Sequence, residues 1–432
     1  MISTEDEAKD SNQPCLPSNC DQKVAEVTQV TPSSSTNYEK DTGWSWLILA
    51  ASFLTQLIVF GLVLCFGIYF VTLLEHFQCS RGEVAAVGSI AYGTKCLTGL
   101  ISSVLYRKFG CRSVVMTGGL LSAVGCFLSY FAQDILHLCV TYGFINGFGL
   151  GLVYIPTMGI LPDYFQRYKF FATAFATVGS AVGTLLFQPI LLYLINDSGF
   201  ALHIVLFGSL MRSRSPLQKE LHFASLLELA LWRQVKFWLF MLDCVLWGGA
   251  IFVVFSMANN LMMEHGLSKA ASAFLASFLG FGNTAGRLLS SLLGNWNRTN
   301  RPLLYACATA LFSAASLSLI WQFSAAGFAA CLLLFGLAFG AMLAQLAGVI
   351  MDLFGVSKLV NGLGYALFAV GLGGIAVPPA AGLLTERTGV EIAYVLSSIM
   401  SCIAAVLCFC NVYLKYREDK REKAEVELNE YH

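Results

Sequence analysis

The 432-residue chain is short of charge: Asp, Glu, Lys and Arg make up 12% of it, and the signs balance at 26 against 26. A soluble domain carries about 25% charged residues and 45–50% apolar ones. Here 56% of residues are apolar and the mean hydropathy is +0.68, with the charges gathered between long apolar runs. That pattern excludes one large soluble core. There is no basic tract or basic–aromatic interleaving of the kind that binds nucleic acid. Metal-ligand spacing and a nucleophile elbow are also lacking, and no acid pair has a plausible soluble pocket. These absences argue against an intramembrane enzyme and leave no cofactor to expect. A disulfide framework is not expected either, because most of the fourteen cysteines lie inside apolar runs (Cys65, Cys126, Cys307, Cys331, Cys408), where a thiol packs as a small hydrophobe. Residues 1–43 lack the apolar core of a signal peptide and are rich in Ser, Thr, Pro and acids, so they read as a disordered cytoplasmic tail.

What the chain does have is apolar runs of membrane length. A bilayer core of about 30 Å takes about 20 helical residues. Runs that meet this length fall at about 44–72, 84–106, 113–133, 136–161, 170–195, 236–262, 270–294, 302–322, 325–351, 359–384 and 390–414. A further run, Ser198 to Met211, has 14 residues between Asp197 and Arg212. At 1.5 Å per residue it covers about 21 Å, short of a bilayer core. If this run crosses, both termini lie inside and the cytoplasmic loops hold thirteen Lys and Arg against three outside (Arg81, Lys269, Arg387). That asymmetry favours the crossing. If it does not cross, the second part of the chain inverts.

Self-comparison at an offset of 189 residues aligns Gly147 with Gly336, Gly151 with Gly340, Asp163 with Asp352, Phe165 with Phe354, Pro189 with Pro378 and Arg112 with Arg301. Parallel repeats of this kind build the two halves of major facilitator transporters. The expected fold is therefore an all-α polytopic membrane protein with two pseudo-repeated six-helix halves and a shortened sixth helix. The boundaries are a tail 1–43, a first half 44–211, a cytoplasmic loop 212–235, a second half 236–414 and a cytoplasmic tail 415–432. Residues 221–231 read as an amphipathic surface helix in that loop.

Gly147, Gly149 and Gly151 superficially resemble a nucleotide loop, but they sit in mid-span, where small residues let helices approach closely. Gly371, Gly373 and Gly374 read the same way, and Pro378-Pro379 should break or kink its span. Charges inside spans are the sharper signal, because hydrocarbon makes them costly and they usually face a cavity. Three qualify: Lys95, Asp243 and Arg287. Arg287 is either an anion-binding fork or one side of a structural pair, with Asp243 as the available acid. Lys95 either lines a pocket or snorkels, and Asp243 either serves a gate or coupling role or joins two helices. His203, in the short run, reads as interfacial. Asn196 and Asn297 match the glycosylation pattern but lie close to membrane ends.

Several segments resemble the monocarboxylate transporter family (solute carrier family 16) of the major facilitator superfamily. Asp41-Thr-Gly-Trp-Ser-Trp46 is similar to its opening motif, with threonine where glycine is usual. Arg107-Lys-Phe-Gly-Cys-Arg112 resembles the loop after span two, and Asp163-Tyr-Phe-Gln-Arg-Tyr-Lys169 the basic signature before span five. Val377-Pro-Pro-Ala-Ala-Gly382, followed by Thr388-Gly389, resembles the late double-proline motif. The resemblance implies a multi-pass plasma-membrane carrier of small monocarboxylates or related organic anions, working by alternating access. It places the substrate arginine at Arg287, through the frame Phe281-Gly-Asn-Thr-Ala-Gly-Arg287, and a selectivity aromatic at Phe339. The acid of proton-coupled members is Asn283 here, and their span-one lysine falls near Leu64. Asn283 is then expected to hydrogen-bond near the substrate, Lys95 to supply replacement positive charge, and proton symport to be weak or lost. The partners so implied are the organic anion, a proton where coupling survives, the lipid bilayer and, for some members, a single-span chaperone glycoprotein. The competing reading is a non-transporting isoform, misfolded, retained or bound to a full-length sibling because its sixth helix is short.

Overall fold

The computed structural model describes residues 41–64, 73, 77, 81–198, 229–296 and 299–430. The expectations for residues 1–40, for the short run up to Met211 with His203, and for most of the 221–231 helix lie outside these residues. So does the lysine-equivalent stretch just beyond Leu64.

Among the described residues every regular element is helical. They are α1 (Gly43–Leu64), α2 (Arg81–Tyr130), α3 (Ile135–Leu138), α4 (Gly147–Gly159), α5 (Leu161–Tyr164), α6 (Lys169–Ser198), α7 (Val235–Glu264), α8 (Lys269–Gly294), α9 (Arg301–Ser318), α10 (Ala325–Phe354), α11 (Leu359–Thr388) and α12 (Glu391–Glu430). Among the described residues, eight helical stretches are long and apolar enough to cross a membrane. One of them, Ala86–Tyr130, has 45 residues. That is about 67 Å, twice a bilayer core. Gly110 breaks it inside the Arg107–Arg112 motif, with φ 79° and ψ 169°, so the stretch is two crossings joined at a corner only glycine takes without strain.

The helix limits follow from local chemistry. Ser268, Asn300 and Ser324 cap α8, α9 and α10, each side chain accepting from a backbone N–H three residues on. Gly389, at φ 92°, ends α11, which accounts for the Thr388-Gly389 pair. The double proline does not break its span: α11 runs through Pro378-Pro379 as a single α-helix. A second feature had no sequence signal. Between α3 and α4 the chain takes a π-helical turn, Cys139–Asn146. There Thr141 accepts from Ser129 at 2.9 Å, and Ser122 donates to Asn146 at 2.6 Å, tying the segment to the second arm of α2.

The mid-span glycines set the helix spacing. A Cβ at Gly147 or Gly151 would meet the backbone of Ala91 or Lys95 on α2. A Cβ at Gly336 or Gly340 would meet the backbone of Leu279 or Asn283 on α8. The paired glycines of the 189-residue repeat thus make matching crossings, α4 on α2 and α10 on α8. Gly149, Gly371 and Gly373 also abut neighbouring backbone, as their packing reading required. Arg301 and Asp352, the second members of two of the repeat pairs, form an ion pair at 3.0 Å, with the Arg301 guanidinium 3.3 Å from the Phe170 ring centroid.

Two of the sequence motifs meet in space. Asp41 holds a positive φ of 62° just ahead of α1. Its Oδ2 accepts from the backbone N–H groups of Gln166 at 3.3 Å and Arg167 at 3.0 Å. Ser45 donates to the Tyr164 carbonyl at 3.0 Å, and Trp46 lies edge-on to Phe165 at 5.5 Å. The start of α1 therefore clamps the turn between α5 and α6. Asp and Asn tolerate the left-handed region better than other residues. Asp41→Asn should then leave thermal stability near that of the native protein. Asp41→Ala, which loses both acceptor bonds and keeps the strain, should cost about 1–3 kcal/mol. Thermal unfolding in detergent checks this, together with protease sensitivity of residues 163–169.

Candidate functional site

The site grows from α8, which is built inside-out relative to a soluble helix. Asn283, Arg287, Ser290 and Ser291 recur at helical spacing and are all buried. Phe274, Phe281, Leu289 and Leu292 occupy the other side and are exposed. A helix with its apolar side outward and its polar side inward suits a lipid exterior and a polar interior. This polar face also explains why α8, though 26 residues long, is absent from the eight most apolar stretches.

Arg287 is 2% exposed. Its Nε donates to Asn283 Oδ1 at 2.9 Å, one helical turn back. One terminal nitrogen donates to the Thr177 carbonyl and to Ser180 Oγ, each at 2.5 Å, both on α6. Helix α6 offers a buried stripe of hydroxyls, Thr173, Thr177, Ser180 and Thr184, spaced to lie along one face. Arg287 therefore bolts α8 to α6 through neutral acceptors. Asp243 is not among its partners. It lies fully buried on α7 and accepts from the Tyr305 hydroxyl of α9 at 2.8 Å. The structural Arg287–Asp243 pair weighed in the sequence does not form among the described residues, because the two side chains are engaged by different helices.

Lys95 is 1% exposed on the first arm of α2. Its Nζ lies 5.2 Å from the Tyr92 ring centroid and 5.9 Å from that of Tyr154 on α4, an arrangement of cation–π type. Sequence reasoning singled out Arg287 and Asn283, which a hydrogen bond joins, and Lys95, which lies against Tyr92 and Tyr154. It missed Thr177, Ser180, Tyr92 and Tyr154, which carry no charge and reveal themselves only when α2, α4 and α6 come together. Phe339 stands apart in its contacts. Its buried ring packs on Phe255 at 5.9 Å and Phe312 at 6.4 Å, within an aromatic cluster of α7, α9 and α10.

The profile of the Major Facilitator Superfamily matches residues 48–357 and 297–430. The chain belongs to that superfamily: it is a multi-pass membrane transporter and not an enzyme. Among curated proteins it is similar to monocarboxylate transporter 11 of Mus musculus, 29% identical over 81% of this chain and 83% of the relative. Monocarboxylate transporter 13 of Bos taurus is 27% identical over 81% and 84%. These relatives set it with the monocarboxylate transporters within the superfamily. Its fold is similar to that of the E. coli fucose:proton symporter, with a TM-score of 0.65, 14% identity and coverage of 85% of this chain and 99% of the symporter. The human organic anion transporter MFSD10 gives a TM-score of 0.65 at 15% identity, over 84% and 99%.

Proposed function

We propose that the chain carries small monocarboxylates or related organic anions across the plasma membrane by alternating access of two halves, residues 44–211 and 236–414. Arg287 is the carboxylate-binding group in this reading. The observation that carries it is the buried guanidinium, held among the described residues only by neutral groups on α6 and α8. A carboxylate is a stronger, charge-assisted acceptor than a serine hydroxyl or a peptide carbonyl. An entering substrate therefore replaces Ser180 and Thr177 at the terminal nitrogen and releases the bolt between α6 and α8. Binding is then coupled to a change of state by the differential contact that such coupling requires. Asn283 orients the guanidinium through Nε, Phe339 shapes the aromatic wall behind the site, and Asp243 serves the packing of α7 on α9 or a gate there. With asparagine at 283, coupling to a proton is weak or lost.

Counterflow of radiolabelled carboxylates into proteoliposomes tests the reading, and the absence of any saturable, carboxylate-dependent signal would overturn it. Ser180→Ala tests the bolt. Removing one of two acceptors weakens the empty-state contact, so the apparent KM should fall by about 3- to 10-fold. A rise in KM would instead make Ser180 a substrate ligand.

A further inference from the structure

Gly159, the last residue of α4, and Gly348 of α10 are related by the same 189-residue offset, and both are buried. Each forms the floor of a socket. A Cβ at Gly159 would come within 2.7 Å of Val360 Cγ2, with the Tyr106 ring at 3.4 Å. A Cβ at Gly348 would meet the Arg301 side chain at 3.2 Å and the Phe170 ring at 3.8 Å. Val360 is the second residue of α11, and Phe170 is the second residue of α6. In the two-half reading each glycine belongs to one half and the side chain seated on it to the other. The sockets lie at the end of the bundle that carries Lys169, Arg301 and Lys358, which the Lys and Arg bias assigns to the cytoplasm.

The two sockets differ in chemistry. Valine offers no ring, so its seat at Gly159 holds no cation. At Gly348 the Arg301 guanidinium lies 3.3 Å from the Phe170 ring centroid, an arrangement of cation–π type. Hydrogen bonds fix that guanidinium within the second half. Its Nε donates to the Gly294 carbonyl at 2.8 Å, and a terminal nitrogen donates to Asp352 Oδ1 at 3.0 Å and Oδ2 at 3.1 Å. The cation therefore meets the ring already oriented and loses little freedom in gripping it. Lys169 Nζ also lies 5.2 Å from this centroid, but it comes from α6 itself and ties nothing across. Phe170 stands about two turns before Thr177. Helix α6 is thus held to the second half by Arg287 in mid-span and by Arg301 at its end. A carboxylate on Arg287 releases only the first of these. We propose that Phe170 and Val360 are paired plugs that close the cytoplasmic mouth between the halves, and that Arg301 is the latch on Phe170. This inference rests on the alternating-access reading and assigns its gate.

The test is amide hydrogen exchange of the purified full chain in lipid nanodiscs, read at residues 169–176 and 359–366, with thermal unfolding measured alongside. Phe170→Leu keeps an apolar plug and removes the ring. It should speed exchange at 169–176 by about 3- to 30-fold, the loss of one cation–π contact, with an unfolding temperature near that of the native protein. Phe170→Tyr keeps the π face and should exchange as the native protein does. Val360→Ala should speed exchange at 169–176 as well as at 359–366, because paired plugs open together. Native exchange in Phe170→Leu would overturn the latch. Exchange that rises along the whole chain, with a lower unfolding temperature, would make Phe170 a packing residue and overturn the latch too. A Val360→Ala effect confined to 359–366 would overturn the pairing. Counterflow separates these outcomes from the reading beneath them. A chain that shows counterflow, with native exchange in Phe170→Leu, loses only the latch. A chain without counterflow loses the carrier reading, and the plugs with it.

Discussion

Arg287→Ala is expected to abolish saturable carboxylate uptake while leaving a folded, monodisperse protein. The two expectations come from different terms. In the bound state the fork supplies charge-assisted hydrogen bonds, each worth about 1.5–3 kcal/mol. Losing two of them costs about 3–6 kcal/mol, a drop of roughly 10²- to 10⁴-fold in kcat/KM. In the empty state the same side chain donates to Asn283, Thr177 and Ser180 but must also be held out of water. Desolvation of a buried charge offsets much of what its partners return. The fold therefore loses far less than the function. Arg287→Lys separates charge from shape: the ammonium keeps the sign but lacks the planar fork, so uptake should fall by about 10- to 100-fold. Uptake is measured per molecule at the surface, and size-exclusion chromatography reports the fold. Native kinetics in Arg287→Ala would remove this residue from the site.

The parts of this architecture that were legible are those set by length and local chemistry. A span expected at 270–294 is Lys269–Gly294, and one expected at 325–351 is Ala325–Phe354. Apolar runs fix where a helix crosses, and caps fix where it stops. The glycine reading held because a mid-span small residue has few uses besides close approach. Arg287 and Lys95 were visible because a charge inside an apolar run stands out against its neighbours. What escaped depends on the rotation of one helix against another. Nothing local says that α6 turns its hydroxyls to α8, or that Tyr154 of α4 reaches the same lysine as Tyr92 of α2. The Arg287–Asp243 option failed for this reason: opposite charges were noted, but α7 directs Asp243 to Tyr305. The Asp41 clamp lay between these cases. Both of its motifs were legible, and their contact was not.

The second large effect is structural and falls on the crossing that carries Arg287. Gly282 and Gly286 of α8 lie against Leu333 and Leu337 of α10, while Gly336 and Gly340 lie against Leu279 and Asn283. Each added Cβ would strike backbone rather than the end of a flexible side chain, so no rotamer change relieves it. At Gly340 the new atom meets the Asn283 carbonyl and comes within 3.0 Å of the backbone nitrogen of Arg287. Helix propensity favours alanine over glycine by about 1 kcal/mol. Overpacking a tight contact costs about 1–3 kcal/mol and sometimes more. The clash outweighs propensity here, because relief requires α8 and α10 to separate. Gly340→Ala should lower the unfolding temperature by several degrees, and Gly340→Leu should give no monodisperse peak at all. Gly43→Ala is the control, since nothing lies within 4 Å of its added Cβ. The alanine variant also couples packing to function. Any shift of α8 carries the Arg287 guanidinium away from Ser180 and Thr177, so residual uptake should fall more steeply than the unfolding temperature. A Gly340→Leu protein that folds and transports normally would mean that this crossing sets neither the fold nor the position of Arg287.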